Sequence, residues 1–101
     1  MKTKFPTKLV GVTFGNAQQI IPSLVSGMQL KPIRESDNIY DNNAIAVFFG
    51  NHHLGYLSKA ISKKLAPLMD EGAEILIKVI NITGGSDGYN YGVNVSLQIF
   101  E

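Results

Sequence analysis

The segment Asp37-Asn38-Ile39-Tyr40-Asp41-Asn42-Asn43 gathers two carboxylates, three amides and a phenol within seven residues. A carboxylate accepts hydrogen bonds from hydroxyls, an amide side chain donates and accepts, and a tyrosine ring offers a flat face for stacking. The apolar run from Ala44 to Phe49 follows at once and reads as a buried strand that fixes the segment in place. Two readings are open from these residues. One is a turn whose Asp and Asn side chains bond their own backbone. The other is a polar cup in which Asp41 accepts from a ligand hydroxyl, Asn38 and Asn43 both donate and accept, and Tyr40 stacks. Further along, Tyr56 stands in Leu54-Gly55-Tyr56-Leu57 just before Ser58-Lys59, where a helix start offers backbone N–H groups and a lysine to a phosphate. Core packing for Tyr56 and plain solvation for Lys59 are the alternatives.

Other constellations lead away from catalysis. The chain has no cysteine, which excludes thiolate chemistry, Cys-zinc sites and disulfides, and is natural for a reducing cytoplasm. There is no Gly-x-Ser-x-Gly elbow. His52 and His53 are adjacent in a hairpin, where neighbours project to opposite faces, so they are read as solvated turn histidines rather than metal ligands. Asp37, Asp41 and Asn43 fail the calcium-loop pattern, because Ile39 and Asn42 stand where a ligand and a glycine are needed. Gly84-Gly85-Ser86-Asp87-Gly88 lacks the Lys-Ser/Thr of a phosphate loop and reads as a flexible hairpin connection. No catalytic residue, metal or cofactor is expected.

The elements that must position these residues follow from period and punctuation. Thr7 to Phe14 reads as a first strand ending at Gly15-Asn16, preceded by an arm over residues 1–7. Ala17 to Val25 reads as a short helical turn, and Met28 to Glu35 as a second strand. Ala44–Phe49 and His53–Leu57 form a hairpin about Gly50-Asn51-His52. Ser58 caps a short two-faced helix bearing Ile61 and Leu65, and Pro67 is expected to open a second helix ending at Gly72. The β-branched run Glu74 to Thr83 implies burial on both faces or a bulge. In the last segment Tyr91, Val93, Val95, Leu97 and Ile99 alternate with polar residues or glycine, as in a half-buried strand. About six strands with one or two short helices make a mainly β protein, a small antiparallel β-barrel in one domain over residues 8–101. No export signal and no membrane span is expected, since the longest apolar run is six residues.

The formal net charge is only +1, which excludes a uniformly basic nucleic-acid coat. It is unevenly placed: residues 1–64 hold 8 basic and 3 acidic groups, and residues 65–101 hold 1 basic and 5 acidic.

Four stretches together resemble the HIRAN domain family. They are Val10 to Phe14; Leu30-Lys31-Pro32-Ile33-Arg34-Glu35; Asp37 to Val47, with its Asn-x-Tyr-Asp-x-Asn-Ala-Ile-x-Val pattern; and Leu54-Gly55-Tyr56-Leu57-Ser58-Lys59. The resemblance spans nearly the whole chain, as in a stand-alone bacterial or phage member. It implies an OB-like barrel that captures the free 3′-hydroxyl end of single-stranded DNA. Carried over, Asp41 meets the 3′-hydroxyl, Tyr40 the terminal sugar or base, Asn38 and Asn43 shape the cup, and Lys59 takes a phosphate. Where DNA-binding members have a basic residue and two aromatics, this chain has Thr13, Phe14 and Gly15; Tyr56 replaces a histidine, and Ile39 a proline. The aromatic of the last loop is Tyr89 or Tyr91.

The expected function is therefore a non-enzymatic module for single-stranded DNA 3′ ends, linked to repair or replication-fork processing, with a helicase, nuclease or other repair protein as partner. The rival reading is a protein-interaction domain that keeps the barrel without DNA binding.

Overall fold

The computed structural model describes residues 2–101, with side chains from Lys4 onward. Six strands, β1 (Lys2–Lys8), β2 (Gln29–Arg34), β3 (Ile45–Phe49), β4 (His52–Tyr56), β5 (Glu74–Thr83) and β6 (Gly92–Phe100), form one antiparallel sheet in the order β1-β6-β5-β2-β3-β4. Helix α1 (Ala17–Ile20) runs into a 3₁₀ turn at Ile21–Ser23, and α2 (Lys59–Asp70) connects β4 to β5. This is the mainly β architecture expected from the strand spacing, with the first strand displaced.

The segment expected to be an arm is strand β1 itself. Phe5 packs against the core while Lys4, Pro6 and Lys8 lie exposed, the period of two of a half-buried strand. Pro6 is tolerated because β1 is an edge strand paired only with β6. The expected strand over Thr7–Phe14 ends instead at Lys8, since Gly11 and Gly15, at φ 66° and 60°, turn the chain out of extended conformation.

The sheet is not closed by a ladder between its edges. After β1 the chain crosses from β6 to β4: Leu9 donates its N–H to Val93 O at 3.0 Å, and Val10 and Tyr56 exchange two backbone bonds of 2.9 and 2.8 Å. This single bridge draws the sheet into a barrel-like curl. Gly55 is required beside it, because a Cβ there would stand 2.6 Å from the Val10 carbonyl oxygen and 3.0 Å from Val12 Cγ1.

Two bulges redirect side chains. In β5 the register shifts between Val79 and Asn81, so Ile75, Ile77 and Val79 point into the core while Ile80 is 40% exposed. In the β3–β4 hairpin it shifts between Val47 and Phe48: Val47 pairs with Gly55 but Phe48 pairs with His53, leaving Leu54 unopposed and buried. Ile21, Leu30, Ile45, Leu54, Ile77 and Leu97 form the centre of the core.

Helix α2 is continuous where two helices were expected. Ser58 Oγ accepts the Ile61 N–H at its start, and Pro67 lies on an exposed face, where water can satisfy the carbonyl that its missing N–H leaves free. The helix ends in a Schellman motif, with Ala73 N–H bonded to Leu68 O, Gly72 N–H to Met69 O, and Gly72 at φ 103°. Near that end Asp70 binds Arg34 of β2 through two bonds of 3.1 and 3.2 Å, and Arg34 also donates to Ala44 O at 3.3 Å.

Gly55→Ala tests the closure. The methyl would meet backbone rather than a movable side chain, so the variant is expected to lose about 1–3 kcal/mol in urea unfolding, the usual cost of overpacking. A wild-type midpoint would show that the Val10–Tyr56 seam does not constrain the fold.

Candidate functional site

Where the Val10 bridge meets β4 and the loop between β2 and β3, the surface opens into a groove of about 460 Å³. Ala44 and Leu57, both buried, and Val10 supply its apolar base. Phe14 and Tyr40 stand at its rim, 71% and 86% exposed. Asn38, Asp41, His53, Tyr56 and Lys59 complete the lining.

The 37–43 loop is built by nested turns. Asn38 Oδ1 accepts the N–H groups of Tyr40 at 2.9 Å and Asp41 at 3.2 Å, and Asp41 Oδ1 accepts that of Asn43 at 2.9 Å. Glu35 N–H bonds to Ala44 O at 2.9 Å, and Ala44 N–H to Asp41 O at 3.0 Å, closing the loop on the start of β3. These are the turns of the first reading, in which Asp and Asn side chains bond the backbone of their own loop. Asn38 spends its polar atoms ordering the loop, which leaves Tyr40 projecting and Asp41 with an oxygen that has no partner among the described residues.

Glu35 is the hub that the sequence did not single out. Its Oε1 accepts both the Tyr56 hydroxyl at 2.9 Å and Asn38 Nδ2 at 3.1 Å, tying the phenol of β4 to the loop. Burial, with the hydrogen bond to Glu35 and its negative charge, pushes the Tyr56 phenol above its ordinary value of 10.0. The Tyr56 and Phe14 rings both flank Gly11, where a Cβ would make ordinary contacts of 3.6 and 3.8 Å with them, so the two rings border the same space. Lys59 enters from the first position of α2, exposed, beside the N-terminal turn of that helix.

His53 is not a solvated turn residue. The bulge turns its ring against Tyr56 and Phe48, and its Nε2–H donates to Gly55 O at 3.0 Å, since a carbonyl can only accept. Alternation along the strand gave no sign of this, because one extra residue reverses which face a side chain takes.

Of the ten residues singled out in the sequence, Phe14, Asn38, Tyr40, Asp41, Tyr56 and Lys59 line the groove together. Thr13 is exposed beside Phe14 without lining it, and Asn43 serves the loop through its backbone. Tyr89 stands 75% exposed on the 84–90 loop. Tyr91 packs its ring over Gly85, where a Cβ would fall 2.1 Å from the ring, and Gln18 clamps its backbone by accepting the Tyr91 N–H at 2.7 Å and donating to its carbonyl at 3.0 Å. It is a packing residue.

The fold and the groove define a small barrel-like binding domain, with exposed rings, a carboxylate and an amine around one opening. A family profile described as the HIRAN domain matches residues 3–99, and the chain belongs to that family. Among solved structures it is similar to a Lactobacillus plantarum protein, with 25% identity, a TM-score of 0.80, and coverage of 100% of this chain and 99% of that one. It is also similar in fold to the HIRAN domain of human HLTF, at 24% identity and a TM-score of 0.70 over 97% of this chain and 77% of that chain. A comparison with curated protein sequences finds no match.

The Glu35–Tyr56 bond carries a pH prediction. The folded state holds the phenol proton to higher pH than the unfolded chain does, so this contribution to stability is intact below about pH 10 and is lost as pH rises through the folded value. In an absorbance titration at about 295 nm, Tyr56→Phe should remove the component that belongs to Tyr56, and Glu35→Gln should move that component towards the ordinary phenol value. A titration unchanged by Tyr56→Phe would assign that component to another tyrosine.

Proposed function

We propose that this HIRAN domain is a non-enzymatic module that binds the 3′ end of single-stranded DNA, serving repair or fork processing in the cytoplasm beside a helicase or nuclease. The observation that carries the reading is the convergence in one groove of the Asp41 carboxylate, the exposed Tyr40 and Phe14 rings, Tyr56, and the Lys59 amine. Each has work to do on a strand end. Asp41 accepts from the terminal hydroxyl, an exposed ring stacks a base for about 1–3 kcal/mol, and Lys59 meets a phosphate.

The groove has room for an end rather than for a tract. With two or three phosphates contacted, the logarithm of affinity should fall with that of salt at a slope of about −2, shallow beside that of a basic channel. This agrees with a net charge of +1.

Fluorescence anisotropy with short single-stranded oligonucleotides tests the reading. A 3′-phosphate places a second negative charge against Asp41, so it should bind at least about tenfold more weakly than the 3′-hydroxyl, by the scale of hydrogen bonds to charged groups. Asp41→Asn should shrink that difference. Equal affinity for both ends would sink the proposal. Retention of a protein from nuclease-treated lysate, without oligonucleotide binding, would favour the interaction-domain reading, for which Ile39, 88% exposed beside Tyr40, is the anchor.

A further inference from the structure

The outer face of β2, β3 and β4 carries a row of side chains that extends beyond the groove. Lys31 on β2 pairs with Phe48 on β3, and Phe48 pairs with His53 on β4. Cross-strand partners share a face, and neighbouring strands lie about 4.8 Å apart, so the three stand side by side. The Phe48 and His53 rings stack at 5.0 Å with 16° between their planes, and His53 meets Tyr56 edge-on at 4.8 Å. His53 and Tyr56 line the groove, whereas Phe48 and Lys31 line a second depression of about 410 Å³ that also includes Gln29 and Pro32.

This row exists because of the hairpin bulge. If the pairing of Val47 with Gly55 continued without a shift, Phe48 would oppose Leu54, a core residue, and no ring would reach from Tyr56 towards β2. The shift swaps His53 into that place and joins the two depressions through stacked rings.

We propose that the Lys31–Phe48–His53 row is a second subsite, which takes the nucleotides upstream of the strand end held in the groove. Phe48 supports a base and Lys31 binds a phosphate. This rests on the reading of the groove as a nucleic-acid end site. Continuity argues for the same strand as occupant, since His53 belongs to both the groove and the row. Charge argues for it too, because the second depression has an exposed lysine and no acidic residue in its lining. The direction of travel follows: the strand leaves the groove across β4 and β3 towards β2.

Anisotropy titrations with a 3′-hydroxyl dinucleotide and a hexanucleotide of the same composition test this. The hexanucleotide is expected to bind about tenfold more tightly, the worth of one stacked base with its phosphate. Lys31→Ala and Phe48→Ala should each remove most of that gain while leaving the dinucleotide unchanged, which also reports that the variants are folded. Lys31→Ala should lower the hexanucleotide's salt slope by about 0.7, one phosphate's share on a single strand, and Lys31→Arg should restore it. Lys4→Ala, the same charge change on β1, should alter neither. If the hexanucleotide binds no better than a dinucleotide that does bind, or gains its affinity independently of Lys31 and Phe48, the second subsite is overturned while the end site stands. If neither oligonucleotide binds, the end site fails and takes this inference with it.

Discussion

Two backbone hydrogen bonds between Val10 and Tyr56 hold the two ends of the sheet within reach of each other, and the groove is a consequence of that closure. Val10 gives the groove part of its apolar base, Phe14 follows four residues on, and Tyr56 is the bridge partner itself. The close approach is possible only over a glycine, because Gly55 has the Val10 carbonyl where a Cβ would be. Net stabilisation by two such bonds is modest, about 0.5–1.5 kcal/mol each. Their importance lies in position: they tie the segment that follows β1 to β4, and β1 and β4 stand at opposite ends of the sheet order, so the site's geometry depends on a small local contact.

Glu35 extends that constraint to the loop. A carboxylate placed between the Tyr56 phenol and the Asn38 amide makes the loop's position depend on β4 rather than on its own turns alone. Arg34, next to it, fastens the other side by bonding Ala44 O and the Asp70 carboxylate of α2. Ion pairs this exposed are worth about 1 kcal/mol or less. Their part here is to fix where the two ends of the loop lie, which lets Tyr40 and Ile39 stand in solvent without the loop collapsing over the groove.

Most of the strand pattern was legible in the sequence, as β6 shows: every second residue from Val93 to Ile99 is buried. The bulge in β5 was legible as one of two possibilities, since six apolar residues in ten cannot all face one side of a regular strand. What escaped reading has physical causes. Lysines on β1 obscured an alternation of Phe5 and Leu9 that points inward, and Pro67 was given more power over a solvated helix face than it has. The roles of Glu35, Gln18 and His53 rest on contacts 21 and 73 residues apart along the chain and on a register shift, none of which is encoded in local periodicity. The signature residues around Asp41 were legible because they are contiguous. Tyr91, just before β6, packs its ring over Gly85 rather than along the groove, a contact that strand alternation does not encode.

On the proposed function the low net charge takes on a definite meaning. A domain that tracked along a nucleic acid would need cations spaced along a continuous path, and here the described basic side chains are scattered over β1, β2, α2 and β5. A domain that grips an end can instead draw on directional contacts, a carboxylate for a hydroxyl and rings for bases, which weaken little with salt and fail when the end is chemically blocked. Asp41 makes the same point more sharply. An acidic residue in a nucleic-acid groove opposes affinity for every internal phosphate, and it becomes an advantage only where the ligand presents a hydrogen-bond donor. On the proposed function the residue that costs binding strength is thus the one that selects a terminus, and the neighbouring rings and Lys59 offset that cost.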